Sequence, residues 1–423
     1  MEDETPVCSA KGCRAAAAWV LVWNNPRLHT PDREKTWVAC DEHRALALEA
    51  AEKSAVLLEN NGVLPFERAA VRKLAVLGRL AAMENTGDFG SSRVRPPYVV
   101  TALAGLQLLL GAEAILTGDE ADLDAARAAA SGADAVVVVV GNTADDEGEY
   151  IPGDISLGQG ESQASEEAVA AQNMIGGGKP SRGGDRADLG LAADQVALIE
   201  AAVGTGKPVV VVIVDGSAVT VEEWRKGASA ILQTFYAGME GGTALARLLF
   251  GDVSPSGRLP FTVATDAAHY PFFDRDADRI DYDYWHGYAK LEKDGVEPRY
   301  PFGHGLSYAR FVHRALTVRR IDERLEVSVA IRNDGAVAAA DVVQCYLGCP
   351  GEVEPRWPKS LKAFARVYLR PGETRLVRMV IALDDLRHRD GRAHGWRLES
   401  GTYRVLVARS AADREPLVTE MRL

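Results

Sequence analysis

The chain has 423 residues and a formal charge of −12, from 48 Lys and Arg against 60 Asp and Glu. At ~150 residues per domain this length predicts two or three domains, and 47% hydrophobic with 26% charged residues is the composition of a folded globular protein. Nucleic acid and anionic membrane are poor partners for such an acidic chain, because their phosphates are bound by clustered Lys and Arg.

The first residues, Met-Glu-Asp-Glu-Thr-Pro, predict a cytoplasmic protein. They have neither the basic region nor the apolar core of a secretory signal, and no stretch approaches the ~18 apolar residues of a membrane span. The odd number of five cysteines also suits a reducing compartment.

Residues 1–45 contain two short-spaced pairs of soft metal ligands, which are Cys8 with Cys13 and Cys40 with His43. Because Zn²⁺ takes four tetrahedral thiolate or imidazole ligands, the pairs predict a structural zinc site in a small ribbon-like segment. Strands at Trp19–Trp23 and Lys35–Cys40 would form a hairpin between the pairs. The alternative is three reduced cysteines packed as small hydrophobic residues, beside a surface histidine.

From residue 46 to 310, helix and strand patterns alternate. Short apolar runs, typical of parallel strands buried on both faces, lie at Leu74–Leu77, Ala135–Val140, Val209–Val214 and Ala230–Tyr236. Apolar helical stripes follow the second and fourth runs, with Val196, Ile199 and Val203 in one and Leu245, Leu248 and Leu249 in the other. The pattern predicts an α/β fold with a doubly wound, mostly parallel sheet.

Ligands of such sheets bind beyond the carboxyl ends of the strands. The loops expected there are Gly78–Arg93, Gly141–Tyr150, Asp215–Ser217 and Gly238–Gly242. None carries a phosphate-binding lysine motif or a G-x-G-x-x-G that opens a helix, so a nucleotide is not the favoured ligand. Their hydroxyl and carboxylate groups suit a polyol better.

The remaining two segments differ from this α/β pattern. Residues 151–184 form a glycine-rich, low-complexity insertion, which predicts a flexible loop. Residues 311–423 show alternating strands at Leu325–Ile331, Asp341–Leu347, Ser360–Tyr368, Thr374–Ile381 and Gly401–Ala408. Their spacing predicts an antiparallel, all-β sandwich.

Five ordered motifs carry a family resemblance: Glu52–Pro65, Gly90–Pro96, Asp185–Leu189, Gly251–Pro260 and Pro301–Tyr308. The last reads Pro-Phe-Gly-His-Gly-Leu-Ser-Tyr and is the most specific. From about residue 46 to its end, the chain resembles the C-terminal half of glycoside hydrolase family 3, the β-glucosidase and β-xylosidase family. The resemblance implies that family's α/β sandwich followed by a fibronectin-III-like domain. Residues 1–45 lie outside it and resemble small actinobacterial Cys/His zinc-binding segments.

The resemblance also implies site residues. The family hydrolyses β-glycosides with retention, using a nucleophile and a general acid/base. Its acid/base loop has the pattern Glu-Gly-x-Asp-Arg, and here Glu147-Gly148-Glu149 is separated by the insertion from Asp185-Arg186. Glu147 is therefore the first acid/base candidate and Glu149 the second, with a solvated acidic loop as the alternative.

Two further candidates lie on the Gly-Ser-Ser loop. Asp88 and Arg93 are expected to contact substrate at the edge of the cleft, and the alternative for them is a structural salt bridge.

The family's nucleophile is an Asp on a (β/α)₈ barrel of ~250 residues, for which these 423 residues have no room. The sequence contains no Asp-Trp dipeptide and no Lys-His pair of the barrel's kind. We therefore expect an O-glycosyl hydrolase half that needs no catalytic cofactor, acts on a β-glycoside or oligosaccharide in carbohydrate metabolism, and is inactive alone or dependent on a barrel protein in trans. The alternatives are a non-catalytic carbohydrate-sensing or protein-interaction scaffold, and a fusion fragment.

Overall fold

The computed structural model describes residues 19–23, 35–39, 41–87, 94, 96, 98–148, 186, 188–274, 277–351, 356–390 and 394–423, with side chains from residue 44 onward. Contacts divide the chain into two compact units. The first unit comprises Met1–Ser54, Phe66–Ser217 and Glu223–Phe250. The second unit comprises Ala55–Pro65, Ala218–Glu222 and Gly251–Leu423. Within the described ranges, no helix is both long enough and apolar enough to span a membrane.

The first unit begins with a two-stranded hairpin. Strand β1 (Trp19–Trp23) pairs antiparallel with β2 (Lys35–Ala39), so the predicted hairpin is confirmed. Helix α1 (Asp41–Ser54) follows, and strand β3 (Val56–Asn60) then belongs to the second unit.

Five parallel strands form the sheet of the first unit. They are β4 (Leu74–Leu77), β5 (Ile115–Gly118), β6 (Ala135–Gly141), β7 (Val209–Val214) and β8 (Ala230–Gln233), in the spatial order β8-β7-β6-β4-β5. The valine runs of β6 and β7 are buried throughout the sheet centre, as strands covered on both faces require. The predicted parallel sheet is confirmed, although β8 ends three residues earlier than predicted. The backbone of Phe235 leaves the strand conformation there, with a φ of 55°.

Helices cover this sheet in two groups. They are α2 (Ala102–Leu110), α3 (Leu123–Ser131), α4 (Ala144–Glu147), α5 (Ala193–Val203) and α6 (Gly241–Leu249). Helix α3 packs with α5, whereas α1 and α2 pack with α6, and these groups are the two layers of a doubly wound sheet. The predicted helical stripes face inward: Val196 and Ile199 are buried and Val203 is half-buried, and all three leucines of α6 are buried.

The second unit is built around a β-sandwich. Its elements are helix α7 (Gly287–Asp294) and strands β9 (Phe311–Ile321), β10 (Arg324–Asn333), β11 (Ala339–Gly348), β12 (Ser360–Leu369), β13 (Thr374–Ala382), β14 (His388–Asp390), β15 (Gly395–Arg397), β16 (Thr402–Ala408) and β17 (Leu417–Arg422). The main antiparallel sheets have the orders β13-β10-β9 and β12-β11-β16-β17. Alternate residues of β10, such as Leu325 and Val327, meet Val343 and Cys345 of β11 in one core. The predicted all-β sandwich is confirmed.

Candidate functional site

Three loops bring polar side chains together at the carboxyl edge of the sheet in the first unit. Glu147 lies in the loop after β6, Asp215 directly follows β7, and Tyr236 follows β8. Neighbouring parallel strands end at the same edge, so these residues meet although up to 89 positions separate them in the sequence.

Local capping positions Glu147 at the end of a single helical turn. Thr143 and Asp146 form a reciprocal capping box at the start of α4, in which the side chain of Asp146 accepts a hydrogen bond from the Thr143 backbone N–H at 2.9 Å. The Asp146 carboxylate is therefore used in capping the turn. Glu147, the last residue of the turn, is directed to the neighbouring loops.

Three donors contact the Glu147 carboxylate. Its Oε1 atom accepts hydrogen bonds from the Gly216 backbone N–H at 2.8 Å and from the Tyr236 hydroxyl at 2.5 Å. Its Oε2 atom lies 3.4 Å from Arg186 Nε, and only 10% of either side chain is exposed. This is a carboxylate held in one position near a fixed positive charge, not a solvated acidic loop.

Gly216 lies close to both of these side chains. A Cβ atom at this position would lie 3.0 Å from Glu147 Oε1 and 3.1 Å from Tyr236 Cε2. A methyl group here would therefore require Glu147 or Tyr236 to shift by a few tenths of an ångström.

Arg186 also binds a second carboxylate, that of Asp215. Its Nη1 atom lies 3.3 Å from Asp215 Oδ2, and its Nη2 atom donates to Ser217 Oγ at 2.6 Å. Asp215 is fully buried and also accepts from the Ser217 backbone N–H at 2.7 Å and from the Asn142 side chain. Burial raises the pKa of Asp215 to about 6, with the neighbouring Glu147 charge adding to the rise and Arg186 opposing it.

Gln195 of α5 fixes the strand end that carries this loop. Its buried side-chain amide donates to the Gly141 carbonyl at 2.9 Å and accepts from the Gly141 N–H at 3.3 Å. Gly141 has a φ of 136°, and a Cβ atom there would lie 1.9 Å from the Val214 carbonyl oxygen. Strands β6 and β7 thus end in tight contact immediately before Asn142 and Asp215.

A small cavity lies near these residues, and its lining includes Asn85, Thr101, Val139, Val214, Thr234 and Phe235. Asn85 donates to the Asn142 carbonyl at 2.8 Å, and Phe235 directly precedes Tyr236, so the cavity adjoins the loops that carry the candidate residues. Its lining does not include Glu147, Arg186 or Asp215.

The loop Gly238–Gly242, also expected at this edge, contains a buried carboxylate with a structural role. Glu240 is fully buried and accepts hydrogen bonds from Arg44 Nε and Thr243 Oγ1, each at 2.7 Å, and from the Tyr98 hydroxyl. Burial alone would raise its pKa, but the bonds from Arg44, Tyr98 and Thr243 outweigh burial and lower it. Its oxygens are occupied by protein donors, so we assign Glu240 no contact with a ligand.

The other predicted site residues lie outside the described residues. These are Glu149, Asp88 and Arg93, together with the side chains of the four zinc-ligand candidates Cys8, Cys13, Cys40 and His43. In the part of the chain that the structure does describe, no group of three or more His, Cys, Asp or Glu side chains could hold a metal ion.

Sequence reasoning identified Glu147 and the Asp-Arg motif that contains Arg186, but it did not select Asp215 or Tyr236. A signal for Asp215 was present, since an acidic residue and a glycine directly follow a buried valine strand. For Tyr236 no signal was available, because the predicted strand extended through it.

Comparison with known proteins identifies the family. A model of the glycosyl hydrolase family 3 C-terminal domain matches residues 55–308, and one of the fibronectin type III-like domain matches residues 341–411. A β-xylosidase from Formosa agariphila is 33% identical over 374 residues, which cover 84% of this chain and 47% of that protein. Thermostable β-glucosidase B from Acetivibrio thermocellus is 30% identical over 394 residues, which cover 88% of this chain and 47% of that protein.

Solved structures agree with these matches. The crystal structure of a family 3 β-glucosidase from Bifidobacterium adolescentis matches with a TM-score of 0.73 and 27% identity, over 91% of this chain and 54% of that one. The chain spans about half the length of the curated relatives it matches. It therefore belongs to glycosyl hydrolase family 3, and corresponds to the family's C-terminal half, an α/β domain followed by a fibronectin type III-like domain.

Proposed function

We propose that this chain supplies the acid/base half of a β-glycosidase active site, with Glu147 as the proton donor. The observation that supports the proposal is the placement of Glu147. It is a mostly buried carboxyl group at the carboxyl edge of a parallel sheet, held by Arg186, Gly216 and Tyr236. Glu149, two residues further along the same loop, is the second candidate.

The two oxygens of Glu147 suit different tasks. Oε1 accepts two short hydrogen bonds, whereas the Oε2 contact with Arg186 is longer, at 3.4 Å. Oε2 is therefore the atom that would carry the proton. In the proposed step it transfers this proton to the glycosidic oxygen while the bond from that oxygen to the sugar C1 breaks, and the bonding electrons remain on the leaving oxygen.

Arg186 would stabilise the product of that step. Proton transfer leaves a negative charge on Glu147, which would lie beside the Arg186 guanidinium, the Gly216 N–H and the Tyr236 hydroxyl. The carboxylate is then ready to remove a proton from water in the second half of a retaining reaction. Asp88 and Arg93 are proposed to contact the sugar at the edge of the cleft.

The nucleophile belongs to a second part of the site. In a retaining glycosidase the two carboxyl groups lie about 5 to 5.5 Å apart on either side of the sugar. We infer that the nucleophile is carried by a (β/α)₈ barrel outside these 423 residues, whether on the same polypeptide or on another. A β-glycoside or oligosaccharide would bind between the two parts.

The test is complementation with the barrel half of a family 3 relative, mixed with or fused to this chain. For Glu147→Ala we expect hydrolysis of methyl β-glucoside to fall by about 10²- to 10⁴-fold, the usual contribution of a positioned acid. For 2,4-dinitrophenyl β-glucoside, kcat/KM should fall much less, because this leaving group departs without a proton, while kcat falls because the water that attacks in the second half-reaction lacks its base. Added azide should restore turnover of the dinitrophenyl substrate.

Glu149→Ala is the matched comparison. If that variant, and not Glu147→Ala, shows the dependence on the leaving group, then Glu149 is the proton donor and Glu147 only positions neighbouring groups. If neither variant shows it in an active complemented enzyme, the proposal is wrong for this chain and a non-catalytic scaffold is favoured.

We further propose that Cys8, Cys13, Cys40 and His43 hold a structural zinc ion in the N-terminal segment. Four protein ligands leave no open position for a water molecule, so the ion would take no part in catalysis. Metal analysis of the purified chain should find about one zinc per chain and a loss of zinc in Cys13→Ser. Equal zinc contents in the two proteins would contradict this.

A further inference from the structure

The second unit carries a group of exposed aromatic side chains just before helix α7. Tyr282 is 62% exposed and Tyr284 is 51% exposed. We call these two rings, with Trp285, His286 and Trp357 that pack around them, the aromatic platform. A single exposed tyrosine is normal at a protein surface. A group of exposed aromatic side chains more often marks a binding surface.

Contacts behind the tyrosines hold the platform in place. Tyr282 packs on His286 with ring centroids 5.8 Å apart, and Tyr284 packs on Trp357 at 6.1 Å. His286 and Trp357 meet edge to face at 4.9 Å, and Trp357 Nε1 donates to the Tyr284 carbonyl at 3.2 Å. The exposed rings are therefore supported by one continuous array.

That array is anchored in the interior of the unit. Trp357 contacts Tyr288 at 5.6 Å, and Tyr288 contacts the fully buried Tyr346 of strand β11 at 6.2 Å. A preformed surface of this kind loses little conformational entropy when a ligand binds.

The polar groups beside the rings include two carboxylates, one of which, Asp281, accepts hydrogen bonds from Arg279. Asp281 and Asp283 alternate with the two tyrosines along the chain, and both are exposed. Asp283 also accepts from the Trp285 backbone N–H at 2.7 Å, which fixes the local turn. Lys293 Nζ lies 4.8 Å from the Trp285 ring centroid and covers one face of it, so the tyrosines are the main exposed rings.

We propose that the aromatic platform of the second unit binds a β-linked oligosaccharide. A sugar ring has an apolar C–H face, which an exposed aromatic ring can cover, and a rim of hydroxyls, which carboxylates and tyrosine hydroxyls can bind. A protein partner suits this surface less well, because stable protein interfaces bury about 800 Å² per partner and two side chains offer a small fraction of that. Only the choice of a β-linked sugar rests on the proposed function.

The experiment is calorimetric titration of the whole 423-residue chain with cellopentaose and, separately, xylopentaose. We expect at least one sugar to bind, and both Tyr282→Ala and Tyr284→Ala to weaken that binding about tenfold, the factor expected from losing one aromatic contact. Phe364→Ala is the matched control, because Phe364 is an aromatic side chain 68% exposed on strand β12 and outside the platform. It should bind as the unaltered chain does.

Circular dichroism would confirm that the variants are folded, and Tyr282→Phe tests whether the ring alone suffices; it should retain most of the binding. The complementation assay of Glu147→Ala tests the proton donor by hydrolysis, so failure of that proposal can be told apart from failure of this one. The proposal is overturned if neither sugar binds, or if the two tyrosine variants bind as tightly as the unaltered chain.

Discussion

At Asp215 the fold removes a carboxyl group from water and places it beside Arg186, with Glu147 on the other side of that guanidinium. One arginine thus serves two carboxylates, and Asp215 competes with Glu147 for its charge. Protonation of Asp215 would release Arg186 toward Glu147. The ionisation of Asp215 can therefore influence the proposed proton donor.

Asp215 should make stability depend on pH in a defined direction. Its folded-state pKa of about 6 lies above its ordinary value of 3.8, so it contributes stability below the ordinary value that is lost as pH rises through about 6. We expect Asp215→Asn, which cannot ionise, to gain stability relative to the unaltered chain between about pH 4.5 and about pH 7.5. The measurement is the difference between their thermal midpoints at the two pH values.

The control is Asp124→Asn, since the Asp124 side chain is 93% exposed. The difference in thermal midpoint between Asp124→Asn and the unaltered chain should change little with pH. If the difference in thermal midpoint between Asp215→Asn and the unaltered chain is the same at both pH values, burial does not control the ionisation of Asp215 as described.

Some residues of the site could be predicted from the sequence and others could not. Glu147 and Arg186 belong to an interrupted motif that can be read along the chain. Asp215 and Tyr236 depend on which strand ends are neighbours in space, a property of the sheet order β8-β7-β6 that no local pattern contains. Phe235 lies just beyond the end of β8, and its positive φ is likewise not indicated by the local sequence.

At the scale of elements, the strands with continuous valine runs or strict alternation were predicted well, including β12 and β13 at the edges of their sheets. The edge strands β5 and β9 were missed. Strand β5 has four residues, of which only Ile115 is buried. Strand β9 has no buried residue. The periodicity from which strands are predicted reflects burial, so it is weak where a strand buries few residues.

The crossing of helices α2 and α6 depends on the absence of side chains. A Cβ atom at Gly242 would lie 1.9 Å from the Thr101 carbonyl oxygen, and one at Gly105 would lie 2.1 Å from the Gly242 carbonyl oxygen. Both obstacles are backbone atoms, which cannot rotate away. The backbones of the two helices therefore touch.

Gly242→Ala should separate these helices and destabilise the first unit by ~2 to 3 kcal/mol, the upper part of the range for overpacking. Chemical denaturation would measure this. Gly204→Ala is the control, because Gly204 ends α5 with a right-handed helical φ of −60° that alanine adopts freely. Equal stability of the two variants would show that the helix crossing tolerates a methyl group.

The ion pair between α1 and the loop before α6 gives a second prediction at this scale. Arg44→Ala would leave the fully buried Glu240 without its cation. Because the Arg44 side chain is 44% exposed, we expect the free energy of unfolding to fall by ~1 to 2 kcal/mol. This loss is smaller than for an ion pair in which both side chains are buried. Denaturation at neutral pH would measure the loss, and Arg127→Ala, which removes an exposed pair with Asp124, should cost less than ~0.5 kcal/mol. A larger loss for Arg127→Ala would contradict the assignment.

At the scale of the whole molecule, composition and length were compatible with an independent enzyme, and the family changes that interpretation. The described residues form an α/β domain and a β-sandwich, and the chain matches its curated relatives over about half their length. The candidate proton donor is present in the first unit. We infer that the carboxylate that would attack the sugar lies on a barrel outside these 423 residues.

The most direct test is hydrolysis of an aryl β-glucoside by the purified 423-residue chain alone, followed by the same assay after addition of a family 3 barrel half. The account predicts no hydrolysis above background in the first assay, because a proton donor without a nucleophile or a sugar pocket provides little transition-state stabilisation. It predicts activity in the second that Glu147→Gln removes. Hydrolysis by the chain alone that disappears in Glu147→Gln would contradict the central claim.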